Sequence, residues 1–130
     1  MSSVSNNEMG EVHDATEYIQ HLSERPEVRD AAVHSLHEKH RENTVHHFTE
    51  EHREKHIREW KVVKYAVEHT AYGNNYFMKV SIGDGLYIHI RVHRQVHHDL
   101  YDFYSLHETF RHNVATCIFL ESDPLEYFNA

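Results

Sequence analysis

Between Phe77 and His93 the chain alternates apolar and polar residues on both sides of the triplet Gly83-Asp84-Gly85. Met78, Val80 and Ile82 point one way against Phe77, Lys79 and Ser81, and Leu86, Ile88, Ile90 and Val92 then alternate with Tyr87, His89, Arg91 and His93. Successive strand side chains face opposite sides, and glycine reaches the backbone conformations that a tight turn needs. A period of two on either side of such a turn therefore specifies an antiparallel hairpin. A second cluster of turn formers, Tyr72-Gly73-Asn74-Asn75, with Tyr65 and Val67 upstream, adds a third strand.

The segments before this hairpin read as helical. Residues 1–13 are polar and form a flexible arm; Asp14 to Glu17 has the spacing of a capping box opening a short helical turn through Tyr18, Ile19 and Leu22. From Pro26 to about Arg41, Val28, Ala32 and Leu36 recur at helical spacing, and Asn43-Thr44 breaks the pattern. Residues 44–59, almost all charge and histidine, read as a solvated helical insertion held by weak pairs such as Glu51/Lys55 and Glu54/Arg58. Trp60–Val67 is the next strand, with Lys61, Val63, Tyr65 and Val67 on one face and Trp60, Val62, Lys64 and Ala66 on the other. Asp99–Leu106 is the last core strand, for which the apolar run Val114–Leu120 competes. The expected fold class is α+β: one long helix, extended or broken, on a four- to five-stranded antiparallel sheet. A single domain over residues 14–130 includes a C-terminal extension over 107–130.

At 130 residues one domain is expected. No stretch approaches the roughly 20 apolar residues of a membrane span, so no membrane partner is expected. The polar N-terminus lacks the apolar core of a secretory signal, and the lone Cys117 allows no internal disulfide; both point to a reducing, cytoplasmic address. A formal charge of −8 argues against nucleic acid as partner. The 16 histidines are the less ordinary feature, because an imidazole titrates near about 6.5 and mild acid would reverse the sign of the surface.

The run from Asn75 to Val92, NYF-x-KV-x-x-GD-x-x-Y-x-H-x-x-V, resembles the stefins, the disulfide-free branch of the cystatins. The likeness extends loosely to VRDAA over Val28–Ala32 with Asn43, and to the acidic-then-aromatic end Ser122–Phe128. It implies a cystatin-like fold and reversible inhibition of papain-like, cathepsin-type cysteine proteases, with no catalytic residue. The inhibitory wedge of that family would comprise an arm at Met9-Gly10, a first hairpin at His69-Thr70-Ala71-Tyr72-Gly73 and a second hairpin at Val96-His97. Departures are evident. Stefins carry a glycine pair in the arm, Q-x-V-x-G in the first hairpin and Leu-Pro in the second; here His69 replaces glutamine, Ala71 replaces valine, and the proline is lost. The connection before Trp60 and the C-terminal part are also longer than in a stefin. A monomer is expected, with a dimer swapped through the first hairpin as the family's alternative.

The degenerate motif leaves a second reading, a non-inhibitory cystatin-fold binding module with a histidine-rich metal-binding or pH-responsive surface. His52 and His56 lie four apart on a helical stretch, and His34, His37 and His40 follow at steps of three, so either set could offer paired imidazoles to zinc or a similar ion. His37-Glu38-Lys39-His40 and His107–His112 both miss the H-E-x-x-H spacing by one residue, and solvated surface histidines explain the pattern without any cofactor. No phosphate-binding glycine loop and no G-x-S-x-G elbow occur, and Cys117 inside an apolar run reads as core, so no enzyme is expected.

Overall fold

The computed structural model describes residues 9–43, 46–95, 100–111 and 114–128. In chain order the elements are β1 (His13–Asp14), α1 (Glu17–Ser23), α2 (Arg29–Lys39), α3 (Glu50–Arg58), β2 (Lys61–Thr70), β3 (Gly73–Gly83), β4 (Leu86–Gln95), β5 (Tyr101–Leu106), β6 (Thr109–Arg111) and β7 (Val114–Thr116). β1 to β5 form one antiparallel sheet in sequence order, while β6 and β7 make a separate small hairpin. The molecule is α+β, as the alternation and helical periods predict. No helix among the described residues is long and apolar enough to cross a membrane.

The two central hairpins form where the pattern places them. Tyr76 pairs with Val92, Met78 with Ile90 and Val80 with Ile88, and Met78, Val80, Ile82, Ile88, Ile90 and Val92 are almost wholly buried on the face under the helices. Gly83, Asp84 and Gly85 all have positive φ (97°, 58° and 74°), which explains a glycine on each side of the aspartate. Lys55 of α3 reaches across to Asp84 at 2.7 Å.

The expected single long helix is instead three short ones. α2 ends at Lys39, and α3 restarts behind Thr49, whose hydroxyl and amide both meet the His52 ring in a capping box. Nor is the insertion merely solvated: α3 buries His56, and Phe48 and Ile57 pack against the core. Lys55 is drawn to Asp84 and Arg53 pairs with Glu50, rather than the Glu51/Lys55 pair the spacing suggested. The helix cap expected at Asp14 lies at Thr16, which accepts from the Ile19 amide; Asp14 belongs to β1 and pairs with Lys64.

Bulges correct the strand faces. A register shift between Val62 and Lys64 puts Val62 on the same side as Tyr65 and Val67, not opposite them, because one extra residue reverses the parity of everything beyond it. Gln20 covers the irregular stretch, its Oε1 accepting from the Val62 amide at 2.8 Å and its Nε2 donating to the Trp60 carbonyl. A second shift between Arg91 and Val92 brings Tyr101 and Phe103 to the core side together with Leu106.

The apolar run at 114–120 adds no full strand to the sheet and meets it only at one bridge on the edge of β4, beyond the end of β5. Val114–Thr116 pairs with Thr109–Arg111, and Phe119 then exchanges two backbone hydrogen bonds with Tyr87, at 2.9 and 2.7 Å. Cys117 and Ile118 stay in the main core under the helices, and residues 119–128 then turn onto the opposite sheet face. There Phe77, Leu125 and Phe128 form a second small core, joined by Met9 and Tyr127.

Candidate functional site

One end of the sheet gathers the segments of interest. β2 and β3 meet in a two-residue turn, Ala71-Tyr72, with Thr70 opposite Gly73. The Thr70 hydroxyl donates to the Gly73 carbonyl at 2.9 Å and accepts from the Tyr72 amide at 3.2 Å, so the turn is braced from inside. Gly73 has φ 141°, a conformation that a side chain would strain. His69 Nδ1 donates to the Asn74 side-chain oxygen at 2.8 Å across the same hairpin. His69, Thr70, Ala71 and Tyr72 are exposed, Tyr72 with 80% of its surface open.

The arm runs beside this turn. Met9 bridges to Glu68, and the Gly10 amide donates to the Val67 carbonyl at 2.9 Å. A methyl group on Gly10 would lie 3.3 Å from that carbonyl oxygen, so the close approach favours the bare residue. Gly73 also pairs with Gln95 at the end of β4, and the Gln95 amide donates to the Leu100 carbonyl, so both of these residues lie at the same end. Val96 and His97 themselves lie outside the described residues. Met9-Gly10 and His69–Gly73 are therefore brought together, as two backbone segments presented at one end of the sheet.

Behind this edge lies a buried polar layer that strand alternation alone did not single out. Asn75 donates to Glu68 at 2.7 Å and accepts from His93 Nδ1 at 2.9 Å; Arg91 stands 3.6 Å from the same Glu68 carboxylate and donates to the Phe128 carbonyl. The Arg91 guanidinium also lies over Phe77, Tyr104 and Tyr127. This layer makes the floor of a shallow depression walled by Tyr72, Asp102 and Tyr104, and it anchors the hairpin from below. The available signal was Asn75, Lys79 and Arg91 on outward strand positions, which usually means solvent.

The histidines divide by environment. Phe48 is ringed by His37, His40, His46, His52 and His56, with ring centroids 4.7 to 6.1 Å away. His37 Nε2 and His56 Nδ1 share a hydrogen bond at 3.0 Å, and burial pushes both rings down to about 4. Arg53 beside His37 adds to the first shift, and His37 itself adds to the second. Of the expected ligand pair, His56 is turned to His37, and His52 Nδ1 faces the Thr49 amide and hydroxyl. His34 is exposed on α2. Among the described residues no group of three or more His, Cys, Asp or Glu is arranged to hold a metal ion. Burial raises the Cys117 thiol to about 12 and keeps it protonated.

What the edge offers chemically is shape: a braced turn with an exposed aromatic tip beside a strand-like arm, both backed by rigid sheet. Compared with known proteins, the chain matches no protein-family model and no curated sequence.

Proposed function

We propose that this chain is a stefin-like, reversible competitive inhibitor of papain-like cysteine proteases, with Met9-Gly10, His69–Gly73 and Val96-His97 directed at the enzyme. The observation that carries this reading is the convergence of the arm and the first hairpin at one end of the sheet, where the β4–β5 connection also starts. The order of elements, a short strand, helices, then four antiparallel strands in sequence order, suits a cystatin-like architecture with its helix replaced by three shorter ones. A preorganised wedge enters a cleft with little ordering cost, and it blocks the nucleophile without presenting a cleavable bond. Cys117, buried and without a disulfide, suits a cytoplasmic address.

The test is a papain titration with freshly purified monomer at pH 7. Inhibition at nanomolar to low micromolar concentration is expected, with Tyr72→Ala and deletion of residues 1–10 each weakening it about tenfold or more. Rates unchanged at high micromolar monomer would refute the reading.

The ring of histidines around Phe48 favours a second reading, a non-inhibitory module of the same fold whose histidine-rich face binds a divalent ion or responds to pH. Calorimetry with zinc separates the two: stoichiometric heat abolished by His56→Ala supports the module, and heat no greater than for a denatured control counts against it.

A further inference from the structure

Three imidazoles, from the end of α2, from β4 and from the β5–β6 connection, hold the C-terminal segment. His40 at the end of α2 is 1% exposed; its Nδ1 donates to the His46 carbonyl at 3.1 Å, and its Nε2 accepts from the Cys117 amide at 3.0 Å. Those two bonds define a neutral ring, and a proton on Nε2 would displace the Cys117 N–H. His89 of β4 is fully buried and stacks on Phe119 with centroids 3.9 Å apart and planes 7° apart; neither ring nitrogen has a hydrogen-bond partner. His107 stacks on Phe128 at 4.6 Å and 15°, and its Nδ1 is likewise buried and unpartnered. An aromatic face is a weaker partner for an imidazolium than the water it gave up.

We propose that residues 117–128 form an acid-released strap, latched across the sheet by the neutral rings of His40, His89 and His107. Each ring touches a different point of the strap, at Cys117, Phe119 and Phe128, so protonation acts along its whole length. The other fastenings are indifferent to mild acid. Lys79 Nζ donates to the Glu121 and Asp123 carbonyls, Arg91 donates to that of Phe128, and Arg111 pairs with Asp123.

The charges facing the rings do not reverse the argument. Around His89, Lys79 of β3, His107 and Arg111 of β6 oppose a proton, and Asp123 of the strap favours it. Glu126 favours one on His107, and Glu108 favours one on His40 beside His46. Burial outweighs these influences at all three: His89 is pushed down to about 3, and His40 and His107 lie below the ordinary histidine value. A ring that is neutral when latched and titrates near about 6.5 when free favours release below that pH. His89 alone multiplies the released fraction about 30-fold between pH 7.5 and 5.0.

Cys117, the lone and buried thiol, reports release directly. Its labelling by 4,4′-dithiodipyridine, divided by that of a free small thiol at each pH, is expected to rise at least about 30-fold between pH 7.5 and 5.0, with the far-ultraviolet circular dichroism unchanged. The combined H40Q, H89F and H107F chain should flatten that rise to less than about threefold. Where that chain does not fold, H40Q alone serves: glutamine can accept from the Cys117 amide and donate to the His46 carbonyl, and the rise should drop severalfold. A flat wild-type profile, a rise that coincides with loss of the dichroism signal, or an undiminished rise in H40Q would each overturn the strap.

The strap also underlies the arm, since Met9 packs against the cluster of Phe77, Leu125 and Phe128. On the protease reading, release loosens one part of the wedge, so papain inhibition should weaken from pH 7 to 5 in the wild type and less in H40Q. Absence of inhibition at both pH values counts against the protease reading, while the thiol profile still decides the strap.

Discussion

Tyr72 stands at the tip of the β2–β3 turn, clear of both cores, so removing its ring takes little from the fold. Tyr72→Ala should leave the urea midpoint within about 0.5 kcal/mol of wild type and, on the protease reading, weaken papain inhibition, a separation that only an exposed contact residue gives. Gly73 behaves oppositely: at φ 141° and buried, an alanine there should cost about 1–2 kcal/mol in urea unfolding and misplace the turn. His40→Ala removes the acceptor of the Cys117 amide and should destabilise by about 1–3 kcal/mol, whereas His40→Gln should recover most of that loss.

α3 is the least independent element. Its outward residues are charged, its cap depends on Thr49 and His52, and its attachment to α2 runs through Phe48, His37 and His56. A nine-residue helix is too short to persist alone in water, so its order comes from this packing. Phe48→Ala should therefore speed amide exchange across Glu50–Arg58 by tenfold or more, about 1.4 kcal/mol or above, while β3 and β4 exchange as before. Uniform acceleration through the sheet would show instead that α3 and the sheet unfold as one unit.

Across the whole molecule, burial of neutral histidines ties stability to pH with a definite sign. His89 has a folded value of about 3 and an unfolded value near about 6.5, so the unfolded chain binds the extra proton between them. Its contribution is complete above about pH 6.5 and falls by up to about 1.4 kcal/mol per unit below it, ceasing to change near pH 3. His40 and His107 shift in the same direction. Urea midpoints should accordingly drop steeply from pH 7 to 5, a range in which ordinary carboxylates hardly titrate. A midpoint that stayed level or rose over that interval would contradict the burial of these rings.

Period and turn chemistry are local properties of the chain, and they set out the two central hairpins, the stripe of Val28, Ala32 and Leu36 along and just before α2, and the α+β class. The sequence also marked Met9-Gly10 and His69–Gly73, and the register of β1, β2 and β3 then set them side by side. The remaining features depend on contacts between distant segments. The bulges beyond Val62 and Arg91 reverse which residues face the core, and no local pattern announces a single inserted residue. The course of residues 117–128 turned His40, under Cys117, and His89 and His107, under Phe119 and Phe128, from polar letters into buried neutral rings. A histidine's burial depends on which distant segment covers it, and that is a property of packing across the chain rather than of its neighbours in sequence.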